Sequence, residues 1–394
     1  MKRILCSVAS GFAAVLLLYV LINLASCSND DKVRTDTPDE IELAISQMSL
    51  RQKVGQMFAG RPEMLDTTIH WNVSAELVAI SLQEVNGTMR KVNADYPLGG
   101  VILYAHNISD SIQLRSFISQ LRQLNGNPLL CIDEEGGRVA RIANNQSFNL
   151  PKFESMDSIG RTGDPRNAYK CGNTIGSYLK RYGFDIDFAP VADVNTNPEN
   201  VVIGKRAFSD DPEVAAGMVT NYLQGLDDAG IVGCIKHFPG HGDTQNDTHT
   251  GYAASNKTWT EMLGCEMVTF KAGIRWGAEL IMTAHIAAPN VTGSDVPSTL
   301  SSVILQDKLR GELGYRNIIV ADAMEMGAIT QHYSNAEAAV LAVQAGVDII
   351  LGPKNLMEAF DAVIAAVESG KISEKRINES VRRILKLKQK IGRL

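Results

Sequence analysis

The segment at residues 236–249 concentrates side chains that can transfer protons or bind metal ions. It reads KHFPGHGDTQNDTH and contains three of the seven histidines in the 394-residue chain. Pro239 and the glycines on either side of His241 disfavour regular structure, so the segment is predicted to be a loop. In extended backbone, residues two apart point the same way, which places Asp247 beside the ring of His249. A carboxylate next to an imidazole fixes its tautomer and raises its pKa, so this pair is suited to general acid/base catalysis.

Metal binding is the alternative use of the same loop. Its imidazoles and carboxylates are ligand types for zinc and related ions: His237, His241, Asp243, Asp247 and His249. Their spacing matches no zinc motif, and the proline and glycines prevent one helix from presenting two of the histidines. We therefore expect no metal and no cofactor, with a metal-dependent barrel hydrolase as the alternative.

Polar side chains also follow apolar runs elsewhere in the chain. They are Asp133, Glu134, Glu135, Asp193, Asn195, Lys236, His237, His285, Asp322 and Glu325. If the runs are parallel strands, their carboxyl ends meet at one face and these side chains share one polar pocket. Solvated loop residues are the alternative interpretation. His241, His285 and His332 are expected to serve loop structure, pocket lining and the exposed surface, respectively.

Eight apolar runs alternate with longer amphipathic segments. The runs cover residues 54–60, 99–105, 128–137, 184–194, 231–240, 278–286, 317–326 and 347–353. Strands that are apolar throughout, each followed by a helix, are typical of a parallel sheet covered by helices. Eight of them predict an α/β fold, a single (β/α)8 TIM-like barrel with a helical N-terminal extension and an insertion at 61–95. An open doubly wound sheet is the alternative, but no G-x-G-x-x-G motif follows the first run.

Capping patterns predict two helices at the ends of this barrel. Ser49 and Gln52 have capping-box spacing and open a helix in the N-terminal extension. Ser373 is the predicted N-cap of the last helix. The apolar stripe of that helix comprises Ile377, Val381, Ile384 and Leu385.

The N-terminus is predicted to target the protein rather than to join the fold. A positively charged start precedes an apolar stretch that ends in LASC at residues 24–27, a pattern similar to bacterial lipoprotein signals. We expect residues 1–26 to be a signal peptide, Cys27 to carry the lipid, residues 27–38 to be a tether, and residues 39–394 to form the barrel. An uncleaved membrane anchor is the alternative. Either interpretation predicts an exported domain, on the periplasmic face or cell surface of a bacterial membrane.

Charge and cysteine spacing argue against nucleic acid as a partner and against a framework of disulfide bonds. The net charge is −6 and no basic block is present, so nucleic acid is not an expected partner. The cysteines outside the N-terminal region are too widely spaced for a disulfide framework and are expected to be free thiols. They are Cys131, Cys171, Cys234 and Cys265.

The loop at 236–249 resembles the signature of the single-barrel β-N-acetylglucosaminidases of glycoside hydrolase family 3. That signature is Lys-His-Phe-Pro-Gly-His-Gly, followed four residues later by Asp-(Ser/Thr)-His. Other stretches resemble segments of the same family in matching order: IDEEGGRVAR at 132–141, FAPVADVN at 188–195, IGKRAF at 203–208 and VADAMEM at 320–326. The family's larger β-glucosidases have a second domain, which this sequence is not expected to contain.

The resemblance implies roles for individual residues. Asp322 would be the nucleophile that attacks the anomeric carbon, and His249 would be the acid/base, oriented by Asp247. The residues implied in binding a terminal N-acetylglucosamine are Asp133, Arg141, Arg206, Lys236 and His237. Configuration would be retained through a covalent glycosyl-enzyme. A histidine in this role departs from the usual pair of carboxylates.

Together these observations predict a retaining exo-β-N-acetylglucosaminidase, that is, a β-N-acetylhexosaminidase. The substrates implied by the resemblance are peptidoglycan fragments or chitin-like oligosaccharides. The expected partners are this carbohydrate and, through the lipid anchor, the membrane, and the expected state is a monomer. A non-catalytic sugar-binding lipoprotein is a further alternative, against which the presence of Asp322, Asp247 and His249 argues.

Overall fold

The computed structural model describes residues 39–69, 81–244 and 253–394. The chain divides into two compact units, residues 1–43 and 44–394. Of the first unit, residues 39–43 are described, and they begin a helix. The predicted signal peptide, Cys27 and the tether lie outside the described residues. Among the described helices, none is both long and apolar enough to cross a membrane.

Eight parallel strands form the barrel of the second unit. They are β1 (Phe58–Gly60), β2 (Gly100–Leu103), β3 (Leu129–Ile132), β4 (Ile186–Asp187), β5 (Val232–Phe238), β6 (Leu280–Thr283), β7 (Ile318–Ala321) and β8 (Ile350–Leu351). From β1 to β7 each strand pairs with the next, and β8 pairs with β1. A parallel bridge between Val320 and Ile349 joins β7 to β8. The sheet is therefore closed, and the predicted barrel is confirmed.

Helices separate the strands. They are α1 (Glu40–Gln47), α2 (Leu50–Gln56), α3 (Gly87–Asp95), α4 (Ser111–Leu121), α5 (Met156–Gly160), α6 (Pro165–Tyr182), α7 (Pro212–Asp228), α8 (Trp259–Leu263), α9 (Glu266–Trp276), α10 (Pro289–Thr292), α11 (Gly327–Thr330), α12 (Asn335–Ala345), α13 (Leu356–Glu368) and α14 (Glu374–Lys390). In the described residues, four 3-10 helices cover Pro62–Leu65, Ala105–Asn107, Gly204–Arg206 and Ser298–Leu300, and a π-helix covers Val303–Glu312. Within the part of the chain that the structure describes, two short strand pairs lie outside the barrel sheet: Glu134–Gly136 with Val139–Ala140, and Ala253–Ala254 with Ile286–Ala287.

The first strand is shorter than the sequence predicted. The run 54–60 begins inside α2, and only Phe58–Gly60 joins the barrel. The capping box accounts for the difference: Ser49 Oγ accepts a hydrogen bond from the Gln52 N–H at 3.2 Å, and Gln52 Oε1 accepts one from the Ser49 N–H at 2.8 Å. This cap stabilises the helix, so Val54 is buried on a helix face instead of a strand.

The fourth strand is also short, and its shortness shapes the functional face. The predicted run 184–194 contributes only Ile186–Asp187 to the ladder. Pro190 lacks the N–H that a continuous ladder requires, so regular pairing ends before it. The chain then makes one parallel bridge, from Val191 to Lys236. The following residues are free to bring Asp193 toward the end of β5.

Two predictions about the core are confirmed. The Ser373 side chain caps α14 by accepting a hydrogen bond from the Arg376 N–H at 3.2 Å, and the predicted apolar stripe of this helix is buried. The four cysteines are free thiols: Cys131, Cys171 and Cys234 are buried, and Cys265 is partly exposed.

A buried carboxylate joins α14 to the strand starts. Asp348 precedes β8 and accepts hydrogen bonds from Arg310 at 2.7 Å, from Arg383 at 2.8 Å and from the Ile319 N–H at 2.9 Å. Burial alone would raise the pKa of Asp348, but the surrounding arginines lower it below its ordinary value. The carboxylate is therefore ionised and neutralises part of a positive cluster in the interior.

Replacing Asp348 by alanine is expected to lower the free energy of unfolding by ~3–5 kcal/mol, because buried guanidinium groups lose their acceptor. Urea denaturation measures the change. The matched control is Asp157→Ala, which breaks an exposed pair with Arg161 on one helix turn and is expected to cost less than ~1 kcal/mol. Equal losses in the two variants would contradict the role given to Asp348.

Candidate active site

Charged side chains converge at the C-terminal face of the barrel. Asp133 directly follows β3, Lys236 and His237 lie near the end of β5, and Asp322 directly follows β7. Lys236 pairs with Asp133, and His237 pairs with Asp193 from the loop after β4. Electrostatic interactions link Asp322 to His237 and Lys236. These side chains therefore share one pocket and are not separate solvated strand ends.

Opposite charges alternate in the deepest part of this pocket. The Lys236 Nζ atom lies 2.8 Å from Asp133 Oδ1 and 2.6 Å from Glu135 Oε1. The Arg206 guanidinium binds both oxygens of Glu135, at 2.7 and 2.8 Å. The Arg141 Nη2 atom lies 3.5 Å from Asp133 Oδ2. Each charge faces at least one opposite charge, which allows the group to be buried.

This pairing sets the protonation states of the pocket. Burial alone would raise the pKa of Glu135, but Arg206 and Lys236 outweigh burial and hold that pKa well below its usual range. Burial alone would lower the pKa of Lys236, but Asp133 and Glu135 raise it above its ordinary value. Lys236 is therefore a cation at neutral pH, so it can donate hydrogen bonds but cannot act as a base.

Asp193 orients the ring of His237. The Nδ1 atom lies 2.7 Å from Asp193 Oδ2, and the His237 N–H donates to the same carboxylate at 3.2 Å. Burial would raise the pKa of Asp193, but His237 lowers it, so the carboxylate is ionised. It therefore accepts a hydrogen bond from the Nδ1–H group of His237. The other ring nitrogen, Nε2, then faces Arg206 Nη2 at 3.4 Å. The imidazole is thus held in one tautomer and one orientation.

Asp322 has the environment of a nucleophilic carboxylate. It is half-buried, and its Oδ1 atom accepts a hydrogen bond from the Ala323 N–H at 2.7 Å. Burial alone would raise the pKa of Asp322, but the imidazoles of His237 and His285 lower it below its ordinary value. His285 is itself buried and lies 3.0 Å from the Ala323 carbonyl through Nε2, so it supports the turn that carries Asp322. The result is an anion on a rigid strand end.

A second ion pair at the same face involves a residue to which the sequence assigned no role. Arg61, directly after β1, pairs with Glu325, which lies three residues after Asp322. Arg61 is 3% exposed. Burial, Glu325 and Asp133 all raise the pKa of Tyr104 above its ordinary value. The signal in the sequence was a basic residue immediately after the first predicted strand.

The predicted acid/base pair, Asp247 and His249, lies outside the described residues. His241, from the same motif, is buried, and its Nδ1 lies 2.6 Å from Thr244 Oγ1, in keeping with a role in loop structure. His332 is exposed, as predicted. Over the ranges 39–69, 81–244 and 253–394, the structure contains no group of three or more histidine, cysteine or acidic side chains placed to hold a metal ion.

Replacing Glu135 by glutamine is expected to lower the free energy of unfolding by ~3–5 kcal/mol at pH 7, because two buried cations lose their shared counter-charge. Folding lowers the pKa of Glu135, so its stabilising contribution is present at neutral pH and is lost as the pH falls toward that lowered pKa. The difference between the two proteins should therefore shrink in acid. Urea denaturation at several pH values measures it.

The control for this experiment is Asp361→Asn, at an exposed ion pair with Arg51. It is expected to change stability by less than ~1 kcal/mol. A Glu135→Gln protein that is as stable as this control at pH 7, or that loses more stability in acid than at neutral pH, would contradict the assigned charge state.

Comparison with known proteins gives one family model and several relatives. The model for the glycosyl hydrolase family 3 N terminal domain matches residues 48–387. Beta-hexosaminidase A of Pseudoalteromonas piscicida is 34% identical over 325 residues, which cover 75% of this chain and 54% of that protein. Beta-hexosaminidase of Stenotrophomonas maltophilia (strain K279a) is 33% identical over 295 residues, covering 73% of this chain and 86% of that protein.

A solved structure shows the same barrel. It is that of a glycoside hydrolase family 3 beta-N-acetylglucosaminidase from Paenibacillus sp. str. FPU-7, with a TM-score of 0.79 and 36% sequence identity. The match covers 88% of this chain and 63% of that chain. The present chain thus spans less than two thirds of this structure and 54% of the Pseudoalteromonas relative.

Proposed function

Because this chain belongs to glycoside hydrolase family 3, we propose that it is a retaining exo-β-N-acetylglucosaminidase. The observation that carries the proposal is the position of Asp322, an ionised carboxylate directly after β7 that shares its pocket with Lys236 and His237. The sugar is suggested by the relatives named beta-hexosaminidase and by the similar β-N-acetylglucosaminidase structure.

In the first step, Asp322 displaces the leaving group. Its Oδ2 atom, which does not accept the Ala323 N–H, forms a bond to the anomeric carbon while the bond from that carbon to the glycosidic oxygen breaks. The electron pair of the broken bond stays on the leaving oxygen, which takes a proton from His249. Asp247 stabilises the imidazolium before this transfer. The product of the step is a covalent glycosyl-enzyme.

In the second step, water reverses these changes. The water oxygen bonds to the anomeric carbon and its proton passes to His249, while the bond to Asp322 breaks and the carboxylate regains its charge. Two displacements at the same carbon restore the original configuration. The ring carbon carries positive charge in both transition states, and the fixed anion of Asp322 stabilises that charge.

The remaining pocket residues bind the sugar in this proposal. Asp133 and Arg141 are the more accessible members, with side chains 16% and 28% exposed. The Arg141 Nε atom is buried and has no hydrogen-bond partner among the described residues. The Lys236 ammonium group presents donors of fixed orientation, and Asp193 fixes the orientation of the His237 ring. Arg206 donates to both oxygens of Glu135 and to the Val202 carbonyl, so Arg206 contributes mainly by holding Glu135 in place.

We further propose that the enzyme is exported and anchored to a membrane. The LASC pattern at 24–27 supports lipidation at Cys27 and an exported enzyme on a bacterial membrane. An enzyme in that position meets peptidoglycan fragments or chitin-like oligosaccharides that end in N-acetylglucosamine. We propose that the anchored protein acts as a monomer.

The test is hydrolysis of 4-nitrophenyl β-N-acetylglucosaminide beside the matching β-glucoside, with and without EDTA. We expect turnover of the acetamido sugar, little turnover of the glucoside, and no effect of the chelator. Activity that EDTA abolishes and zinc restores would favour the metal-dependent hydrolase. Binding of N-acetylglucosamine without turnover of either substrate would favour the non-catalytic lipoprotein.

A further inference from the structure

The segment that carries Asp247 and His249 is held at both ends by described side chains. We propose that four of these side chains join the two ends and so position His249 for proton transfer. They form what we name the loop-base cluster: Asp243, Ser255, Lys257 and Glu266. This inference rests on the proposed function, because it extends the role given there to His249.

The entering end of the segment is fixed to the barrel. The His241 N–H donates to Asp193 at 2.7 Å, and Asn200 donates to the His241 carbonyl at 2.8 Å. A Cβ atom on Gly242 would lie only 1.9 Å from the carbonyl oxygen of Val194. The backbone of Gly242 therefore packs directly against the loop after β4. Asp243 follows this fixed backbone, so its position is constrained as well.

The leaving end is fixed to the chain that follows β6. Ala253–Ala254 pairs in parallel with Ile286–Ala287, and the Ser255 N–H donates to the Ala287 carbonyl at 3.0 Å. Ser255 is 1% exposed. Two residues later, Lys257 Nζ pairs with Glu266 Oε1 at the start of α9. Glu266 is buried, so this ion pair ties the leaving end to a helix of the barrel.

Asp243 connects the two ends. Its Oδ2 atom accepts a hydrogen bond from Ser255 Oγ at 2.9 Å, and its Oδ1 atom lies 3.6 Å from Lys257 Nζ. These contacts close a ring between positions that are twelve residues apart. Both members of the proposed acid/base pair lie within that ring.

The charges of the loop-base cluster favour the contacts that join the two ends of the segment. Burial alone would lower the pKa of Lys257, but Glu266 and Asp243 raise it, so the ammonium group is retained at neutral pH. The Lys257 ammonium group thus pairs both with Asp243 at the entering end and with Glu266 near the leaving end. The Lys257 side chain is 22% exposed, so salt screens these contacts less than it would screen a surface pair.

Holding the ends should matter for proton transfer more than for nucleophilic attack. A segment whose ends are already close loses less conformational entropy when it reaches a reactive geometry. Asp243 acts through the loop and does not act on the substrate, so it is a positioning residue. Asp322 directly follows β7, outside the ring, and its attack on the anomeric carbon should be unaffected.

The experiment compares two aryl β-N-acetylglucosaminides in Asp243→Ala and Ser255→Ala. The 2,4-dinitrophenyl leaving group departs without a proton, whereas the phenyl leaving group requires one. We expect kcat/KM for the phenyl substrate to fall by ~10–100-fold and kcat/KM for the dinitrophenyl substrate to fall by less than ~3-fold. The control is Asp110→Ala, which removes the N-cap of α4 and is expected to leave the ratio of the two rates unchanged.

Equal losses on both substrates, or no loss on the phenyl substrate, would overturn the inference while leaving an active enzyme. Inactivity of the unaltered protein toward both substrates would overturn the proposed function and the inference with it. If Asp243→Ala fails to fold, Ser255→Ala decides the question, because it removes only the 2.9 Å hydrogen bond between the ends.

Discussion

Replacement of Asp322 by asparagine is expected to reduce kcat/KM toward 4-nitrophenyl β-N-acetylglucosaminide by ~10⁴-fold. The amide has the size of the carboxylate but cannot form the bond to the anomeric carbon, and it lacks the charge that stabilises the transition state. Stability should change little, because Asp322 is only half-buried and the carbonyl oxygen of the amide can still accept the Ala323 N–H. Steady-state kinetics and thermal unfolding measure the two effects.

The control is Asp157→Asn, a carboxylate that pairs with the exposed Arg161 and is expected to keep full activity when changed. Asp322→Ala is measured as well, since it cannot revert to aspartate by deamidation. If kcat/KM falls by less than ~10-fold in both Asp322 variants and the fold is intact, another carboxylate of the pocket must be the nucleophile.

Replacement of His249 by alanine is expected to reduce kcat/KM by ~10²–10⁴-fold for the phenyl substrate and much less for the dinitrophenyl substrate. Only the phenyl leaving group needs the proton that His249 donates. The control is His332→Ala, an exposed histidine that is expected to change neither rate.

The rate losses in His249→Ala also set the scale for the variants of the loop-base cluster. Removal of the acid/base should give the full dependence on the leaving group, and removal of a residue that positions it should give a smaller effect in the same direction. Equal losses on the two substrates in His249→Ala would contradict its role as the acid. No loss on either substrate would assign proton transfer to another group.

The barrel could be predicted from the sequence because its signals are local. Each strand is a short apolar run, and the polar residue that follows it marks the C-terminal face, as for Asp133 after β3 and Asp322 after β7. The boundaries were less predictable. The run 54–60 satisfies both a strand and a helix pattern, and the cap at Ser49 decided in favour of the helix for its first part.

The pairing of side chains could not be predicted, because it depends on contacts between distant parts of the chain. Glu135 and Arg206 are 71 residues apart, and Arg61 and Glu325 are 264 residues apart. The bidentate pairing of Arg206 with Glu135 forms only once β3 and the loop after β4 are brought together. The orientation of His237 by Asp193 depends in the same way on the early end of β4.

The most direct test of the account is to trap the covalent intermediate. A 5-fluoro glycosyl fluoride of N-acetylglucosamine slows both chemical steps, because the ring fluorine disfavours positive charge at the anomeric carbon, while the fluoride leaving group keeps the first step fast enough to observe. Mass spectrometry of the intact protein should show one added sugar, and peptide mapping should place it on Asp322. A sugar on a different residue, or full turnover with inverted configuration and no adduct, would contradict the account.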